Sequence, residues 1–283
     1  MAMRIYVRWM ACGQSPEIIR IIFESNPLLP TNLSRTMKIP TAVLAILSSA
    51  AAFAGDLPKT VMTTPGKLLV DQDFAKPLPP FDGKSKGFAS GFSGWRHNAV
   101  PRGGVWKAGD GIFHARETPE VKHPATASYG FDFKNVVIQC EVRMNDVPLE
   151  GRPARRISVR TTDENDYVCS VHLDPTGIRI TKDDNDHGGP DKSVTLASEK
   201  SSVALDQWHS VVFEILGEEM TATVDGHTLT GSHPLIGKDK HSIMFTIANE
   251  GDVRNFKVWE ATPNAGWADL KAALAKATTP AEK

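Results

Sequence analysis

Polar side chains occupy alternate positions in three neighbouring stretches of sequence, 136–144, 156–160 and 167–173, each with the alternation of a β-strand. Alternate residues of a strand project from one face of the sheet. If the three polar faces line one groove, an acid, a histidine and two guanidinium groups meet there, which suits proton transfer and recognition of hydroxyl groups. We expect Glu141 to act as acid or base with His172 as its partner. The residues expected to hold a substrate are Gln139, Arg143 and Arg160, with Ser158 and Ser170 on the same faces.

The same pattern has a simpler interpretation. An antiparallel sheet can expose one polar face to water, and Glu141 would then pair with an arginine across strands. Alternation also places Tyr167 with the core residues of its strand, opposite His172. The sequence has no Gly-x-Ser-x-Gly elbow, phosphate loop or Rossmann fingerprint, which disfavours serine hydrolysis and nucleotide chemistry. Catalytic groove and solvated face both stay open.

Three further candidates lie in loops. Trp95, in the glycine-rich segment 83–104, could stack on a sugar ring, and a buried loop anchor is the alternative. His123, just before Pro124, lies either at the rim of a site or in a plain turn. The segment Lys182–Gly189 offers oxygen ligands to calcium, but it lacks the closing Glu of an EF-hand, and a solvated turn is favoured. We therefore predict no metal site and no cofactor, with calcium as the one candidate ion.

The elements that carry these residues are predicted to be strands. The stretch Gln207–Gly226 alternates apolar and polar residues on both sides of a turn, and its final Asp-Gly supplies the positive φ of a two-residue turn. We predict a β-hairpin there, with a third strand returning at Thr228–Thr230. Over the whole chain from Lys67 to Ala261 we predict about a dozen short strands at intervals of roughly 8–12 residues, which is typical of a sandwich or barrel. Helical spacing near the end predicts a short C-terminal helix. Its apolar face would consist of Trp267, Leu270, Leu274 and Ala277.

The N-terminal part has a pattern that predicts an export signal beginning at Met37. A lysine, an apolar run over 39–53 and the small-x-small pattern at Ala52–Ala54 are the parts of a signal peptide. The run is too short for a membrane span, which takes roughly 20 apolar residues. We interpret 37–54 as the signal and 1–36 as an upstream extension foreign to the native protein, with a structured helix at Glu17–Glu24 as the alternative. The mature chain is then expected to be periplasmic or extracellular, without a membrane span.

Charge and cysteine content restrict the partners and the covalent chemistry. The 283 residues include 32 Lys and Arg against 33 Asp and Glu, and this balance disfavours a nucleic-acid partner, which usually meets a basic excess. Of the three cysteines, Cys140 and Cys169 fall at apolar positions of predicted strands. Export permits a disulfide between them, although two inward-facing cysteines are more often core residues.

Short motifs follow one another in a fixed order from about Phe74 to Ala261. They are Gly104–Lys107 with Gly109–Gly111, Asp132–Val136, Gln207–His209, Val224–Gly226 and Val253–Glu260. In this order they resemble the 3-keto-disaccharide hydrolase family, a concanavalin A-like jelly roll family of exported bacterial proteins. The resemblance implies an all-β jelly roll sandwich of antiparallel strands at 67–262, after a leader at 55–66 and before a C-terminal helix and tail at 263–283.

The resemblance also implies a carbohydrate partner and leaves two functions open. One is a hydrolase or lyase that acts on glycosides of the 3-keto-disaccharide type, and the other is a non-catalytic sugar-binding or cell-surface module. Related laminarinase-type enzymes carry a Glu-x-Asp-x-(x)-Glu strand. This sequence has no such triplet, which leaves the retaining two-carboxylate mechanism without support.

Overall fold

The chain is described by a computed structural model over residues 57–77, 88–90, 95–98, 104–120, 123–147, 155–186 and 188–278. The predicted upstream extension and signal peptide, His187 and most of the glycine-rich segment around Trp95 lie outside these ranges. Within them, no helix is long and apolar enough to cross a lipid bilayer. The domain boundaries expected from the N-terminal sequence stay predictions.

Antiparallel strands form nearly all of the regular structure in these ranges. In chain order they are β1 (Thr63–Gln72), β2 (Phe88–Ser90), β3 (Trp95–Asn98), β4 (Val105–Gly109), β5 (Ile112–Arg116), β6 (Ala125–Phe133), β7 (Val136–Met144), β8 (Arg156–Thr162), β9 (Tyr167–Asp174), β10 (Gly177–Lys182), β11 (Val194–Lys200), β12 (His209–Leu216), β13 (Glu219–Val224), β14 (His227–Ser232), β15 (Lys240–Ala248) and β16 (Glu250–Pro263). A 3-10 turn spans Pro234–Gly237, and the helix α1 (Trp267–Thr278) follows the last strand. The all-β prediction and the C-terminal helix are confirmed.

The described strands form two sheets of eight strands each. Sheet I has the order β14-β13-β12-β7-β16-β5-β4, and β1 also pairs with β16. Sheet II has the order β11-β10-β9-β8-β15-β6-β3-β2. Strands that follow one another, such as β7 and β8, often lie in different sheets, so the chain crosses repeatedly between them. The architecture is a jelly roll sandwich.

The hydrophobic core lies between the sheets and consists of alternate residues of each strand. Ile138 and Phe213 contribute to it from sheet I, and Val159 and Phe245 from sheet II, all four without exposed surface. The intervening positions therefore form the outer face of each sheet. An outward-facing side chain therefore lies on the outer face of sheet I or on that of sheet II, depending on the sheet to which its strand belongs.

The hairpin predicted at 207–226 is confirmed. Strand β12 pairs with β13 from Val211 opposite Val224 to Leu216 opposite Glu219. Asp225 and Gly226 have φ values of 49° and 90° in the turn to β14, the left-handed conformation that the Asp-Gly dipeptide predicts. The returning strand β14 is longer than the predicted Thr228–Thr230.

One buried carboxylate fastens the start of the described chain to sheet I. Glu214 has no exposed surface and accepts hydrogen bonds from the backbone amides of Val61, Met62 and Thr63 at 2.9, 2.9 and 2.7 Å. The hydroxyls of Thr63 and Thr221 donate to it as well, at 2.8 and 3.0 Å. A buried charge is tolerated only when it is hydrogen-bonded, so these donors account for its position. They hold the entry to β1 against the outer face of sheet I.

Cys140 and Cys169 are free thiols in the core, one on a strand of each sheet. The disulfide alternative is therefore wrong, and the core interpretation is confirmed. Burial raises the pKa of Cys169 to about 12 and also raises the pKa of Cys140. Both thiols are consequently neutral at ordinary pH.

Candidate functional site

The predicted catalytic pair is divided between the two outer faces of the sandwich. Glu141 lies on β7 of sheet I and His172 on β9 of sheet II, each at a position that alternates with core residues. Because each side chain projects away from the core, both sheets lie between them, and the spacing of two packed sheets is itself roughly 10 Å. The prediction that Glu141 and His172 act together is wrong. Gln139 and Arg143 accompany Glu141 on sheet I, whereas Arg160 accompanies His172 on sheet II.

On sheet I, Glu141 takes part in a cross-strand ion pair. The register sets Arg254 of β16 opposite Glu141, and its Nε and Nη2 atoms donate to the carboxylate at 2.8 and 3.1 Å. Asn255 Nδ2 donates to the same carboxylate. The hydrogen bond from Arg254 is the main cause that lowers the pKa of Glu141. Glu141 is thus an ionised carboxylate that pairs with an arginine of the neighbouring strand. This cross-strand pair is the alternative to a catalytic role given in the sequence analysis.

A second network lies beside it, around Asp252. Arg143 donates to Asp252 Oδ2 from Nε at 2.9 Å, with Nη2 at 2.8 Å, and His114 Nδ1 lies 2.7 Å from Oδ1. Burial acts to raise the pKa of Asp252, but hydrogen bonds from His114 and Arg143 lower it overall. The guanidinium carbons of Arg143 and Arg254 lie 4.7 and 4.1 Å from the ring centroid of Trp208. These polar groups on sheet I satisfy one another.

On sheet II, His172 lies in the middle of a chain of hydrogen-bonded side chains. Its Nδ1 is 2.7 Å from Ser158 Oγ and its Nε2 is 2.9 Å from Thr181 Oγ1. Thr181 Oγ1 donates to Asp183 Oδ1 at 2.6 Å, so it accepts from His172, and this assigns the imidazole hydrogen to Nε2. Nδ1 then accepts the hydroxyl hydrogen of Ser158. The chain selects one tautomer of a neutral imidazole.

The surroundings keep this imidazole uncharged. His172 is 4% exposed, and burial together with the positive charges of Arg160, Arg179 and Arg156 lowers its pKa to about 2. A general acid or base works best when its pKa lies near the operating pH. His172 is therefore suited to hydrogen bonding rather than to proton transfer at neutral pH.

Asp183 closes the chain of hydrogen bonds below His172. It is 4% exposed, and both Ser170 and Thr181 donate to its carboxylate. Arg160 Nη1 lies 3.7 Å from Oδ2, which makes an ion pair without a direct hydrogen bond. Asp183 thus orients neighbouring side chains, and little of its surface is left for a ligand.

Tyr167 reaches the same face because of a β-bulge. The register passes from Thr161 opposite Cys169 to Thr162 opposite Tyr167, so Val168 is an extra residue in β9. Val168 packs in the core, and the ring of Tyr167 lies 4.6 Å from the guanidinium carbon of Arg160. The prediction that Tyr167 faces the core is wrong, because an uninterrupted alternation does not hold across the bulge.

A cavity of about 300 Å³ opens beside these residues on sheet II, and we call it the sheet II cavity. Its lining combines arginines with hydroxyl groups, a phenol ring and the imidazole. The lining residues are Arg156, Arg160, Tyr167, His172, Arg179, Thr181, Asp183, Asp184, Ser193 and Thr195. Such a lining donates and accepts hydrogen bonds at several points, which suits a small polyhydroxylated or charged molecule.

The contribution of β10 to this cavity was missed in the sequence analysis. Arg179 lies opposite His172 in the register, and Thr181 lies opposite Ser170. The sequence does contain a signal for this neighbour, because the segment Asp174–Gly177, where β9 ends and β10 begins, has the composition of a tight turn. Two strands joined by such a turn are neighbours in an antiparallel sheet, so the polar positions of β10 must lie beside His172.

The two loop candidates do not line the cavity. Trp95 is 2% exposed, and its ring centroid lies 5.7, 5.0 and 6.0 Å from those of Phe74, Phe113 and Phe245. Trp95 is a core residue, so its assignment as a sugar-stacking platform is wrong. His123 is exposed, and its Nδ1 lies 2.7 Å from the carbonyl oxygen of the following proline, a position that agrees with the turn interpretation.

Two lysines bind side-chain oxygens in and around the acidic segment considered for calcium. Lys182 is buried and pairs with Asp191, and Lys238 Nζ donates to Asn185 Oδ1 at 2.9 Å and lies 3.4 Å from Asp163 Oδ2. In the part of the chain that the structure describes, no group of three or more His, Cys, Asp or Glu side chains is arranged to share a metal ion.

Comparison with known proteins leaves the family of this chain unassigned. No family model and no curated protein matches the sequence. Among solved structures, a carbohydrate-binding module from Bacillus subtilis is 10% identical with a TM-score of 0.48, over 59% of this chain and 96% of that chain. A galectin-like protein of unknown function from Bacillus subtilis is 12% identical with a TM-score of 0.49, over 72% and 100%. A non-specific endo-β-1,3(4)-glucanase of family GH16 is 12% identical with a TM-score of 0.46, over 71% and 96%. At this level of similarity the matches assign neither a family nor a function.

Proposed function

We propose that the protein is an exported carbohydrate-binding protein that holds a saccharide in the sheet II cavity. The observation that carries this proposal is the cavity of about 300 Å³ with its guanidinium, hydroxyl, phenol and imidazole lining. Saccharide hydroxyl groups both donate and accept hydrogen bonds, and this lining offers partners for both roles. The motifs that resemble a carbohydrate-active family agree with the ligand class, and the predicted signal at 37–54 supports a periplasmic or extracellular location.

Binding without cleavage is favoured by the states of the ionisable groups. The pKa of His172 is about 2, far below the range in which an imidazole transfers protons at neutral pH. Asp183 is buried behind its hydroxyl donors, and Glu141 lies on the opposite sheet. His172 therefore lacks the pKa, Asp183 the exposure and Glu141 the position that a general acid or base in the cavity requires.

A hydrolase or lyase of the 3-keto-disaccharide type is the alternative, and it rests on the motif resemblance. Such an enzyme needs a group that exchanges a proton with a substrate in the cavity. Asp184 is the more exposed of the two carboxylates in the lining, and its Oδ1 accepts the amide of Asp186 at 3.2 Å. Asp184 is therefore the first residue to examine for catalysis.

A panel of neutral and acidic oligosaccharides tests the proposal with the purified protein. Calorimetry measures binding, and chromatography measures released products. We expect binding without products, about a ten-fold loss of affinity in Tyr167→Ala, and no change in Glu141→Gln, which lies on sheet I. Turnover by the wild type that is lost in Asp184→Asn would establish the enzyme instead. If no saccharide binds, the proposed function is wrong.

A further inference from the structure

Three guanidinium groups surround the imidazole in the sheet II cavity. Arg156 and Arg160 belong to β8, and Arg179 lies on β10 opposite His172. Alternation along β8 places Arg156 and Arg160 on the same outer face as Ser158, each two residues from it. The cavity therefore concentrates positive charge around a neutral group.

The negative charges of the lining offset these arginines only in part. The lining contains two carboxylates, Asp183 and Asp184, against three guanidinium groups, and Asp174 just outside it pairs with Arg179. Asp183 is 4% exposed and receives hydroxyl donors, so its charge is directed into the protein. Burial lowers the pKa of His172 most, and the three arginines lower it further.

Arg160 has a donor without a partner. Its Nε is buried and makes no hydrogen bond with any described residue, and its Nη1 lies 3.7 Å from Asp183 Oδ2, too far for a hydrogen bond. The ring of Tyr167 stacks against the guanidinium at 4.6 Å and fixes its plane. An unsatisfied N–H on a charged, oriented group is costly, and an acceptor oxygen supplied by a ligand would remove that cost.

Arg179 supplies a second, more accessible guanidinium. Its side chain is 32% exposed, and its Nη1 donates to Asp174 Oδ2 at 3.1 Å. A guanidinium has five N–H donors in a fork that matches the paired oxygens of a carboxylate or a sulfate. Arg160 and Arg179 thus present donors to one cavity from the two strands that flank β9.

We propose that the sheet II cavity selects an acidic saccharide, whose carboxylate or sulfate substituent accepts hydrogen bonds from Arg160 and Arg179 while Arg156 adds positive charge. The proposal rests on the carbohydrate-binding function proposed above and narrows its ligand class. A hydroxyl group is a weaker acceptor for a guanidinium than an anionic oxygen, because charge-assisted hydrogen bonds are roughly twice as strong as neutral ones.

Three sets of oligosaccharides of equal length separate the sources of the anion. They are oligogalacturonates, which carry carboxylates alone, carrageenan oligosaccharides, which carry sulfates alone, and neutral galacto-oligosaccharides. Calorimetric titrations at low and high salt compare the wild-type protein with Arg160→Gln, Arg179→Gln and Arg116→Gln. Arg116 is the matched control, since it is 53% exposed on β5 of sheet I. Thermal unfolding verifies that each variant is folded.

We expect one acidic class to bind at least about ten-fold more tightly than the neutral class, with an affinity that falls as salt rises. Arg179→Gln should lower that affinity about ten-fold and reduce its dependence on salt, whereas Arg116→Gln should leave both unchanged. Arg160→Gln should act in the same direction, and Arg179→Gln carries the test if Arg160→Gln does not fold.

Two results would overturn the inference and can be told apart from failure of the proposed function. In the first, the wild-type protein binds neutral and acidic oligosaccharides with the same affinity at low and high salt, and Tyr167→Ala loses this binding. Such a result would support saccharide binding in the cavity and contradict selectivity for acidic saccharides. An equal loss of affinity in Arg116→Gln would show nonspecific attraction of charge instead of a site. If none of the three classes binds, the carbohydrate-binding function itself is wrong.

Discussion

His172 Nδ1 lies 2.7 Å from the hydroxyl oxygen of Ser158, and the imidazole donates from its other nitrogen to Thr181 at 2.9 Å. Nδ1 therefore accepts a hydrogen bond and Nε2 donates one. A proton added to Nδ1 would displace the Ser158 hydrogen and place a positive charge among three arginines. The geometry thus disfavours the protonated form of His172 in the folded protein.

Replacement of His172 should reduce the sensitivity of the fold to acid. The pKa of His172 falls from 6.5 to about 2 in the folded protein, so between these values the unfolded chain binds a proton that the folded protein does not. Stability conferred by the neutral imidazole is complete above pH 6.5 and is lost as pH falls from 6.5 toward 2, by up to about 1.4 kcal/mol per pH unit. Urea unfolding at pH values on either side of 6.5 measures this slope.

The informative comparison is between wild type and His172→Gln. Across two pH units below 6.5, the free energy of unfolding of the wild type should fall by about 2–3 kcal/mol more than that of the variant. Equal slopes for the two proteins would contradict the depressed pKa.

Glu214→Gln should destabilise the protein by about 3 kcal/mol. The amide nitrogen of the new side chain would face a ring of donors, the backbone amides of residues 61–63 and two threonine hydroxyls. Chemical denaturation measures the loss, and hydrogen exchange should speed up at the amides of 61–63. The control is Glu199→Gln, whose carboxylate is 37% exposed beside His227, and its effect should stay within about 0.5 kcal/mol. Similar losses in both variants would contradict the anchoring role of Glu214.

Cys140 and Cys169 should resist thiol reagents until the protein unfolds. Both side chains are fully buried, and burial raises the pKa of each thiol, so the reactive thiolate is scarce. Reaction with an aromatic disulfide reagent should be slow in the native protein and fast in denaturant. Mass spectrometry without reduction should show both cysteines as thiols, and a mass lower by two hydrogens would contradict this arrangement.

Trp95→Ala should lower the free energy of unfolding by about 3–5 kcal/mol, because it leaves a cavity among the aromatic rings of the core. The affinity of the folded variant for a saccharide should not change. Trp267→Ala is a suitable control, since Trp267 lies at the start of α1, where its Nε1 donates to Glu219 at 2.8 Å, and its loss should cost about 1 kcal/mol. Reduced saccharide affinity in folded Trp95→Ala would restore Trp95 as a binding residue.

The strands and the inward or outward direction of most side chains were predictable from the sequence. Alternation in 136–144 identifies both the strand β7 and its outward residues, since a period of two is a local property. The sheet that receives each strand depends on contacts distant in sequence. Strands β7 and β8 are consecutive, yet they lie in different sheets, and this separates Glu141 from His172.

Two features decide which residues line the sheet II cavity, the β9–β10 hairpin and the bulge at Val168. Only the hairpin can be predicted from the sequence. The hairpin of β9 and β10 follows from the turn at Asp174–Gly177, so the position of Arg179 beside His172 could have been deduced. The bulge at Val168 has no comparable signal, because Tyr167 and Val168 are both acceptable on either face of a strand. Tyr167 could therefore not be assigned to the cavity from the pattern alone.

The attachment of residues 61–63 to Glu214 has a consequence for the timing of folding. Thr63 and Glu214 are 151 residues apart, so a chain that is made, or moved through a membrane pore, from its N-terminus presents these amides long before their acceptor arrives. Until the β12–β13 hairpin forms, the amides of 61–63 lack the buried carboxylate that accepts from them. We expect the amides of 61–63 to become protected from hydrogen exchange only after the β12–β13 hairpin has formed, late in refolding.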